Sequence, residues 1–320
     1  MSVPVRAVIV GFGSGPYLER CLGAWEEARA QAGIEAETVV VLPAGESALD
    51  LARRARVIEV APGENSTPGA NRNRGAEGAT SDWLLFLDGD VELMRGFVAK
   101  ALASVAGQPR VAGFAGRLDE KHWQNGRLVG GARDLYRVGA GGEVAYLAQA
   151  WLCRRAAFEN VGGFDARLPA EEDFELSARL RRAGWSLIAT SELAGIHHCA
   201  PRPSLAELGR RWKNGMFAGP GLALRHAWGG ASFGELLARQ RLYLGALAFA
   251  VLGLLALITS PLYFLLWLWV ALFAWGLLAL RKRSARLAAL SLLTWVVQGV
   301  ALVRVWLFGP WGTMARGRAR

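Results

Sequence analysis

Between Arg241 and Arg281 the chain runs through 39 residues without one charged side chain. Residues 242–258 and 262–280, 17 and 19 long, are parted only by Thr259-Ser260-Pro261. Crossing the hydrocarbon of a bilayer takes a helix of ~20 apolar residues, and a proline ends a helix or starts the next one. The pair therefore reads as a membrane hairpin. A third apolar run, 287–303, continues past Arg304 to 308 and either spans or lies in the interface. Trp267, Trp269, Trp275, Trp295, Trp306 and Trp311 suit the interfacial belts of membrane helices. Residues 233–244 are amphipathic, with Arg239 and Arg241 placed for lipid headgroups.

The net charge of +10 belongs to this part of the chain. Ten of the 37 Lys and Arg, and none of the 27 acids, lie beyond residue 235, so the upstream part carries 27 of each. A basic excess confined to the flanks of apolar runs points to a lipid bilayer and away from nucleic acid. Arg281-Lys282-Arg283 and Arg286 form a cytoplasmic loop under the positive-inside rule, which leaves residues 1–235 cytoplasmic. Arg316, Arg318 and Arg320 fall outside if the third run spans, and inside if it does not. The 30 N-terminal residues hold only a short apolar run, too brief for a signal peptide. Cys21, Cys153 and Cys199 are odd in number and widely spaced, so they define neither a disulfide framework nor a zinc finger. The preference for Arg over Lys points to a GC-rich bacterial genome.

Upstream of residue 235, short apolar runs alternate with amphipathic stretches. Residues 5–10, 38–42, 57–60 and 83–87 read as strands, and 17–32 as a helix with Leu18, Leu22 and Trp25 on one face. Strands this apolar are buried on both faces by helices, which predicts a doubly wound, mostly parallel α/β sheet that binds ligands at its carboxyl edge. Four constellations fall where such an edge would use them. Asp88-Gly89-Asp90 closes the fourth strand and offers two carboxylates to a hard divalent cation. Glu171-Glu172-Asp173-Phe174-Glu175 opens a helix, where acids favour the helix dipole and one could act as a general base. His197-His198 follows a later strand, and Asn71-Arg72-Asn73-Arg74-Gly75 precedes the Asp88 strand, with Arg suited to phosphates or to the carboxylates.

In order and spacing these blocks resemble family 2 glycosyltransferases with a GT-A fold, over roughly residues 3–218. The blocks are Tyr17-Leu18-Glu19-Arg20-Cys21-Leu22, Arg72-Asn73-Arg74-Gly75, Leu85-Phe86-Leu87-Asp88-Gly89-Asp90 and Arg154-Arg155-Ala156-Ala157-Phe158. Val161-Gly162-Gly163-Phe164-Asp165, Glu172-Asp173-Phe174-Glu175-Leu176 and Arg181-Arg182-Ala183-Gly184-Trp185 complete them. The resemblance implies that Asp88, Asp90 and His197, with His198 as fallback, hold Mn2+ or Mg2+. It further implies that Gly11, Phe12, Arg72, Asn73 and Asp88 line the donor side. Asp173 would be the general base with Glu172 beside it, and Trp151, Arg211 and Trp212 would face the acceptor. Two turns depart from the family. The first strand runs into Val10-Gly11-Phe12-Gly13, and the second ends in Val41-Leu42-Pro43-Ala44-Gly45-Glu46-Ser47, where an acidic turn usually meets the nucleotide base.

The expectation is a GT-A catalytic domain over 1–235 and a membrane anchor over 236–320, with helices near 242–258, 262–280 and 287–308. Its activity would be inverting, metal-dependent transfer from a nucleotide-diphosphate sugar to a lipid-linked, polyprenyl-phosphate or polysaccharide acceptor. The setting would be the cytoplasmic face of a bacterial inner membrane. Residues 114–150, with His122, Trp123, Tyr136 and Tyr146, would set specificity. The competing reading is a catalytically degenerate membrane scaffold or binding subunit, favoured by the altered second turn.

Overall fold

The computed structural model describes residues 5–12, 15–46, 49–201 and 204–310, with the side chains of residues 49 and 50 excepted. Gly13, Ser47, Trp311, Arg316, Arg318 and Arg320 lie outside the described residues. The chain divides into two compact units, which part between Pro201 and Arg202.

The first unit is a ten-stranded sheet with helices on its faces. Its elements are β1 (Val5–Val10), α1 (Tyr17–Gln31), β2 (Ala36–Pro43), α2 (Leu49–Arg54), β3 (Arg56–Val60), α3 (Pro68–Ala76), β4 (Trp83–Asp88) and β5 (Val91–Leu93). They continue with α4 (Phe97–Val105), β6 (Val111–Gln124), β7 (Arg127–Ala132), β8 (Gly141–Glu143), β9 (Ala150–Arg154), α5 (Arg155–Asn160), α6 (Glu172–Arg182) and β10 (Ser186–Cys199). The strand order is β3-β2-β1-β4-β9-β6-β10-β5, with β7 on β6 and β8 on β10.

The four expected strands and the first helix are present. β3, β2, β1 and β4 pair in parallel, and β1 is buried from end to end. The sheet as a whole is mixed, because β9 enters antiparallel between β4 and β6, and β5 runs antiparallel to β10. β3 is also less buried than a two-sided strand, since it closes the sheet at an edge. On α1, Cys21, Leu22, Trp25 and Ala28 recur at helical spacing and face the core. Trp25 is fully buried and its indole N–H donates to the Thr38 hydroxyl on β2 at 2.8 Å. One face of the sheet packs on α1 and α4, and the other carries Phe86, Trp151, Phe158 and Phe164 beneath α5 and α6. Gly75 lets α3 approach β1 closely, since a Cβ there would meet Val8 Cγ1 at 2.2 Å.

Register places the chemistry. Val10 lies opposite Val41 on one side and Asp88 on the other, so the carboxyl ends of β1, β2 and β4 are level. The Gly89 N–H donates to the Val10 carbonyl at 2.9 Å and the His198 N–H to the Asp90 carbonyl at 2.9 Å, fixing the Asp88-Gly89-Asp90 turn from both sides.

The second unit is helical: α7 (Leu205–Lys213), a 3-10 turn (Met216–Ala218), α8 (Gly219–His226), α9 (Phe233–Arg239), α10 (Arg241–Thr259), α11 (Pro261–Lys282) and α12 (Ala285–Phe308). The last three are each long and apolar enough to cross a membrane. The compact second unit begins upstream of residue 235, because α8 packs with α12. The Gln298 amide donates to the Phe217 carbonyl at 2.9 Å, Arg225 donates to the Trp306 carbonyl at 3.0 Å, and Gly221 admits Val305 closely. α12 is more enclosed than α10 or α11, since it packs against both of them as well as α8.

A chain ending at Pro201 is expected to stay folded and monodisperse without detergent, because its core clusters draw only on residues 5–194. A chain ending at residue 235 uncovers the apolar side of α8 and is expected to aggregate. Size-exclusion chromatography of the two, with circular dichroism, checks this.

Candidate active site

Helix α3 begins with Thr67, whose hydroxyl accepts the Ala70 N–H at 3.2 Å and donates to the Ala166 carbonyl at 2.7 Å, followed by Pro68 in the first turn. The helix start is thus tied to the 161–168 loop, and Arg72 is carried inward. Only 3% of Arg72 is exposed. Its guanidinium donates to Glu172 Oε1 at 2.6 Å and to Asp88 Oδ1 at 2.7 Å, and lies 3.5 Å from Asp173 Oδ1. It also sits 5.3 Å from the centroid of the Phe164 ring. Arg72 thus bridges the end of β4 to the start of α6.

Glu172 and Asp173 are buried in the first turn of α6. Burial pushes the Asp173 carboxyl well above its ordinary range. Arg72 opposes that shift, while Glu172 and Asp88 add to it. Asp88 is raised as well, by burial, against Arg72 and with the help of Asp90. One guanidinium faces three carboxylates, and of these Asp88 and Asp173 hold on to protons more readily than free acids do. Two non-glycine residues in left-handed backbone geometry frame it. Gln149 (φ 63°) gives its carbonyl to the Asp88 N–H at 2.9 Å, and Glu171 (φ 71°) leads into α6. Strain of this kind is typical of sites whose geometry the surroundings enforce.

On the other side of the turn, β5 follows Asp90 directly and pairs with β10, which brings His197 beside Asp90. His197 Nε2 is 3.3 Å from Asp90 Oδ2, and Nδ1 is 3.0 Å from Glu120 Oε1 on β6. Burial by itself would lower the imidazole, but its bonds to Asp90, Cys199 and Glu120 outweigh that and push it up to about 11. Asp90 Oδ1 is buried and has no hydrogen-bond partner among the described residues. An orphaned carboxylate oxygen beside a second carboxylate and an imidazole is a donor set that fits Mn2+ or Mg2+. Asp88, Asp90 and His197 are the residues that would hold such an ion.

Several expected site residues lie elsewhere. Trp151 is fully buried between β4 and β6, its ring 5.5 Å from that of Phe86, so it is core and no wall of an acceptor pocket. Asn73 spends its amide on the Phe164 backbone, donating to the carbonyl at 2.9 Å and accepting the N–H at 3.0 Å, and so fastens the 161–168 loop. Arg72 is enclosed by carboxylates, its terminal nitrogens bonded to Glu172 and Asp88. His198 turns to the opposite side of β10. It accepts the Trp123 indole N–H at 3.0 Å, lies 2.9 Å from Glu92 through Nε2 and stacks on Tyr17, which removes it as a fallback ligand. Arg211 and Trp212 belong to α7 in the second unit, where Arg211 pairs with Glu207 at 2.9 Å and Trp212 lies near Phe217. Gly11 and Phe12 directly follow β1: Gly11 donates to the Val41 carbonyl at 2.9 Å, and Phe12 packs on Val39, Val41 and Val60. Glu46 is exposed in the turn after β2. Glu120 and Gln149 escaped the sequence reading because neither sits in a motif, and only strand pairing brings them to the turn.

A mixed sheet of this order, with two acids closing its fourth strand beside a buried acidic helix start, is the GT-A fold of nucleotide-diphospho-sugar transferases. Residues 8–162 match the family model for glycosyl transferase family 2, and this part of the chain is a domain of that family. Among curated proteins the chain is similar to the pre-mycofactocin glycosyltransferase of Mycobacterium tuberculosis. The two are 33% identical over 127 residues, 37% of this chain and 27% of that one. It is also similar to the succinoglycan biosynthesis protein ExoA of Rhizobium meliloti, 28% identical over 146 residues, 43% and 44% of the two chains. The matches thus span between about a quarter and under half of those proteins' lengths. Among solved structures, the mannosyltransferase PcManGT of Pyrobaculum calidifontis, in complex with GDP-Man and Mn2+, superposes with a TM-score of 0.62 at 18% identity. That likeness covers 96% of this chain and 88% of the other. TarS of S. aureus gives a TM-score of 0.54 at 15% identity over 82% and 50%. At such identities these two likenesses speak for the fold.

Replacing Arg72 with Ala leaves Asp88, Glu172 and Asp173 without their buried counter-charge and is expected to cost about 3–5 kcal/mol of stability. Arg72→Lys should recover only part of it, since an ammonium cannot fork between two acids. Urea denaturation of the 1–201 fragment checks both.

Proposed function

We propose that the chain is a membrane-associated, inverting glycosyltransferase that moves a sugar from a nucleotide diphosphate to a hydroxyl or phosphate on a lipid-linked or glycan acceptor. One observation carries this reading. Asp88, Asp90 and His197 converge on one side of a strand-end turn, while Asp173, a buried acid with a raised pKa, is held on the other side through Arg72. The family match over residues 8–162 and the fold shared with an enzyme solved with GDP-Man and Mn2+ support it.

Each role follows from the local chemistry. A carboxylate that takes a proton from an acceptor hydroxyl works best when its pKa approaches the working pH. Burial and two neighbouring acids move Asp173 in that direction. Arg72 keeps the Asp173 carboxylate oriented and stops the acid cluster from repelling itself apart. As Asp173 accepts the proton, the acceptor oxygen attacks the anomeric carbon from the side opposite the diphosphate, which inverts the configuration. A divalent cation, Mn2+ or Mg2+, held by Asp88, Asp90 and His197 would supply positive charge for the departing diphosphate. Phe12, just past β1 and packed against β2 and β3, has the apolar surface to lie against a nucleobase. Glu46 would take the place of the family's acidic turn.

α10, α11 and α12, each able to cross a bilayer, would keep the enzyme beside lipid-borne acceptors. The basic residues Arg281, Lys282, Arg283 and Arg286, at the junction of α11 and α12, support a cytoplasmic turn and a cytoplasmic catalytic unit in a bacterial inner membrane. The altered turn after β2 is the observation that favours a catalytically degenerate scaffold instead.

Calorimetric titration of the detergent-purified chain with UDP-, GDP- and dTDP-sugars, in Mn2+ and again in EDTA, separates the two. Binding of one donor that EDTA abolishes is the expected result; no binding by a folded protein favours the scaffold. Asp173→Asn is expected to retain donor binding within a few-fold and to lose transfer by at least about 100-fold. Turnover near the wild-type rate would remove Asp173 as the base.

A further inference from the structure

β6 and β10 run in parallel, with His197 opposite Glu120 and Cys199 opposite His122. Side chains alternate along a strand, so these four share one side of the pair, while Trp123 and His198 meet on the other. Glu120 is at the centre of the four. One of its carboxylate oxygens lies 3.0 Å from His197 Nδ1 and 3.7 Å from Cys199 Sγ, and the other lies 3.3 Å from His122 Nε2. The Glu120 and His197 side chains are each only 5% exposed. The opposite ring nitrogen of His197 faces Asp90 at 3.3 Å.

A carboxylate this deep in a protein costs free energy unless it is bonded on all sides. As a plain strand-to-strand contact it would gain little over an apolar pair of similar size. Its placement has a more specific consequence. An imidazole that ligates a metal through one nitrogen needs its other N–H held by an acceptor, which fixes both tautomer and ring angle. Glu120 offers that acceptor on the side of His197 away from the Asp88-Gly89-Asp90 turn.

We propose that Glu120 is a positioning residue: by accepting the Nδ1–H of His197 it aims Nε2 at the divalent cation held with Asp88 and Asp90, while His122 and Cys199 keep the Glu120 carboxylate in place. This rests on the reading of Asp88, Asp90 and His197 as a metal centre. Glu120 touches neither the ion nor the donor, so its effect lies in metal affinity and in how the imidazole meets the ion.

The test is Mn2+ binding to the full chain in detergent with GDP or UDP present. Electron paramagnetic resonance gives the affinity, and electron spin-echo modulation reports an imidazole nitrogen on Mn2+. The wild type is expected to bind one Mn2+ with a nitrogen signal, and Asp90→Asn to lose it. Glu120→Ala should weaken binding about 10- to 100-fold and diminish the nitrogen signal. Glu120→Gln keeps a neutral acceptor for Nδ1–H, so it should retain the signal and weaken binding roughly three- to tenfold. A wild type that binds no Mn2+ overturns the metal-centre reading and this inference with it. Mn2+ bound by the wild type and lost in Asp90→Asn, yet held by Glu120→Gln with unchanged affinity, overturns the role of Glu120 alone, even where Glu120→Ala fails to fold. Binding that survives Asp90→Asn and disappears in Cys199→Ser would put the ion on the Nδ1 side of His197 with Glu120 as a ligand, and also overturns the inference.

Discussion

The first unit depends on one buried cation. The Arg72 guanidinium joins the end of β4, through Asp88, to the first turn of α6, through Glu172 and Asp173. Without it, three acids would share a space too small and too dry to hold three negative charges. With it, they stay together, and Asp88 and Asp173 still keep raised pKa values because they are buried. The helix that carries Arg72 is itself fastened at both ends: Thr67 caps its start against the Ala166 carbonyl, and Asn73 clamps the Phe164 backbone. The 161–168 loop therefore serves to seat an arginine.

The opposite side of the Asp88-Gly89-Asp90 turn follows a different logic, that of strand pairing. β5 is only three residues long, yet its antiparallel contact with β10 delivers His197 to Asp90, and the parallel contact of β10 with β6 delivers Glu120 to His197. Hydrogen-bonded backbone thereby does for His197 what a buried ion pair does for Asp173. The two halves of the site meet at Asp88 and Asp90, whose backbone is held by β1, β10 and the strained Gln149.

The second unit is built on length and close approach. α10 and α11 are almost entirely outward-facing apolar surface, whereas α12 buries a third of its apolar window against neighbours in the same unit. Gly253 lets the Trp267 ring lie against α10, and Gly299 lets α12 approach the Tyr243 carbonyl. Small residues at helix contacts are the means by which helices pack where lipid removes the hydrophobic drive. α7, α8 and α9 belong to the same compact unit as these helices, whereas charge and hydropathy located only the apolar runs.

The local pattern of the chain determined what depends on neighbours in sequence. The buried strands β1, β2 and β4, the amphipathic α1, the acids that close β4, the acidic start of α6 and the three long apolar helices were all legible from run length and periodicity. The motif order was enough to name the family. Partnership was not legible. Asn73 and Arg72 are adjacent on one helix, yet one clamps a backbone and the other neutralises three acids. His197 and His198 are adjacent on one strand, yet they face opposite sides. Trp151 sits close to the site in sequence pattern and is walled into the core. Glu120, far from any motif, ends beside His197 across 77 residues of chain. Tertiary structure decided these because a side chain's direction and its partner across a sheet are set by register and packing over long separations, and local sequence does not specify either.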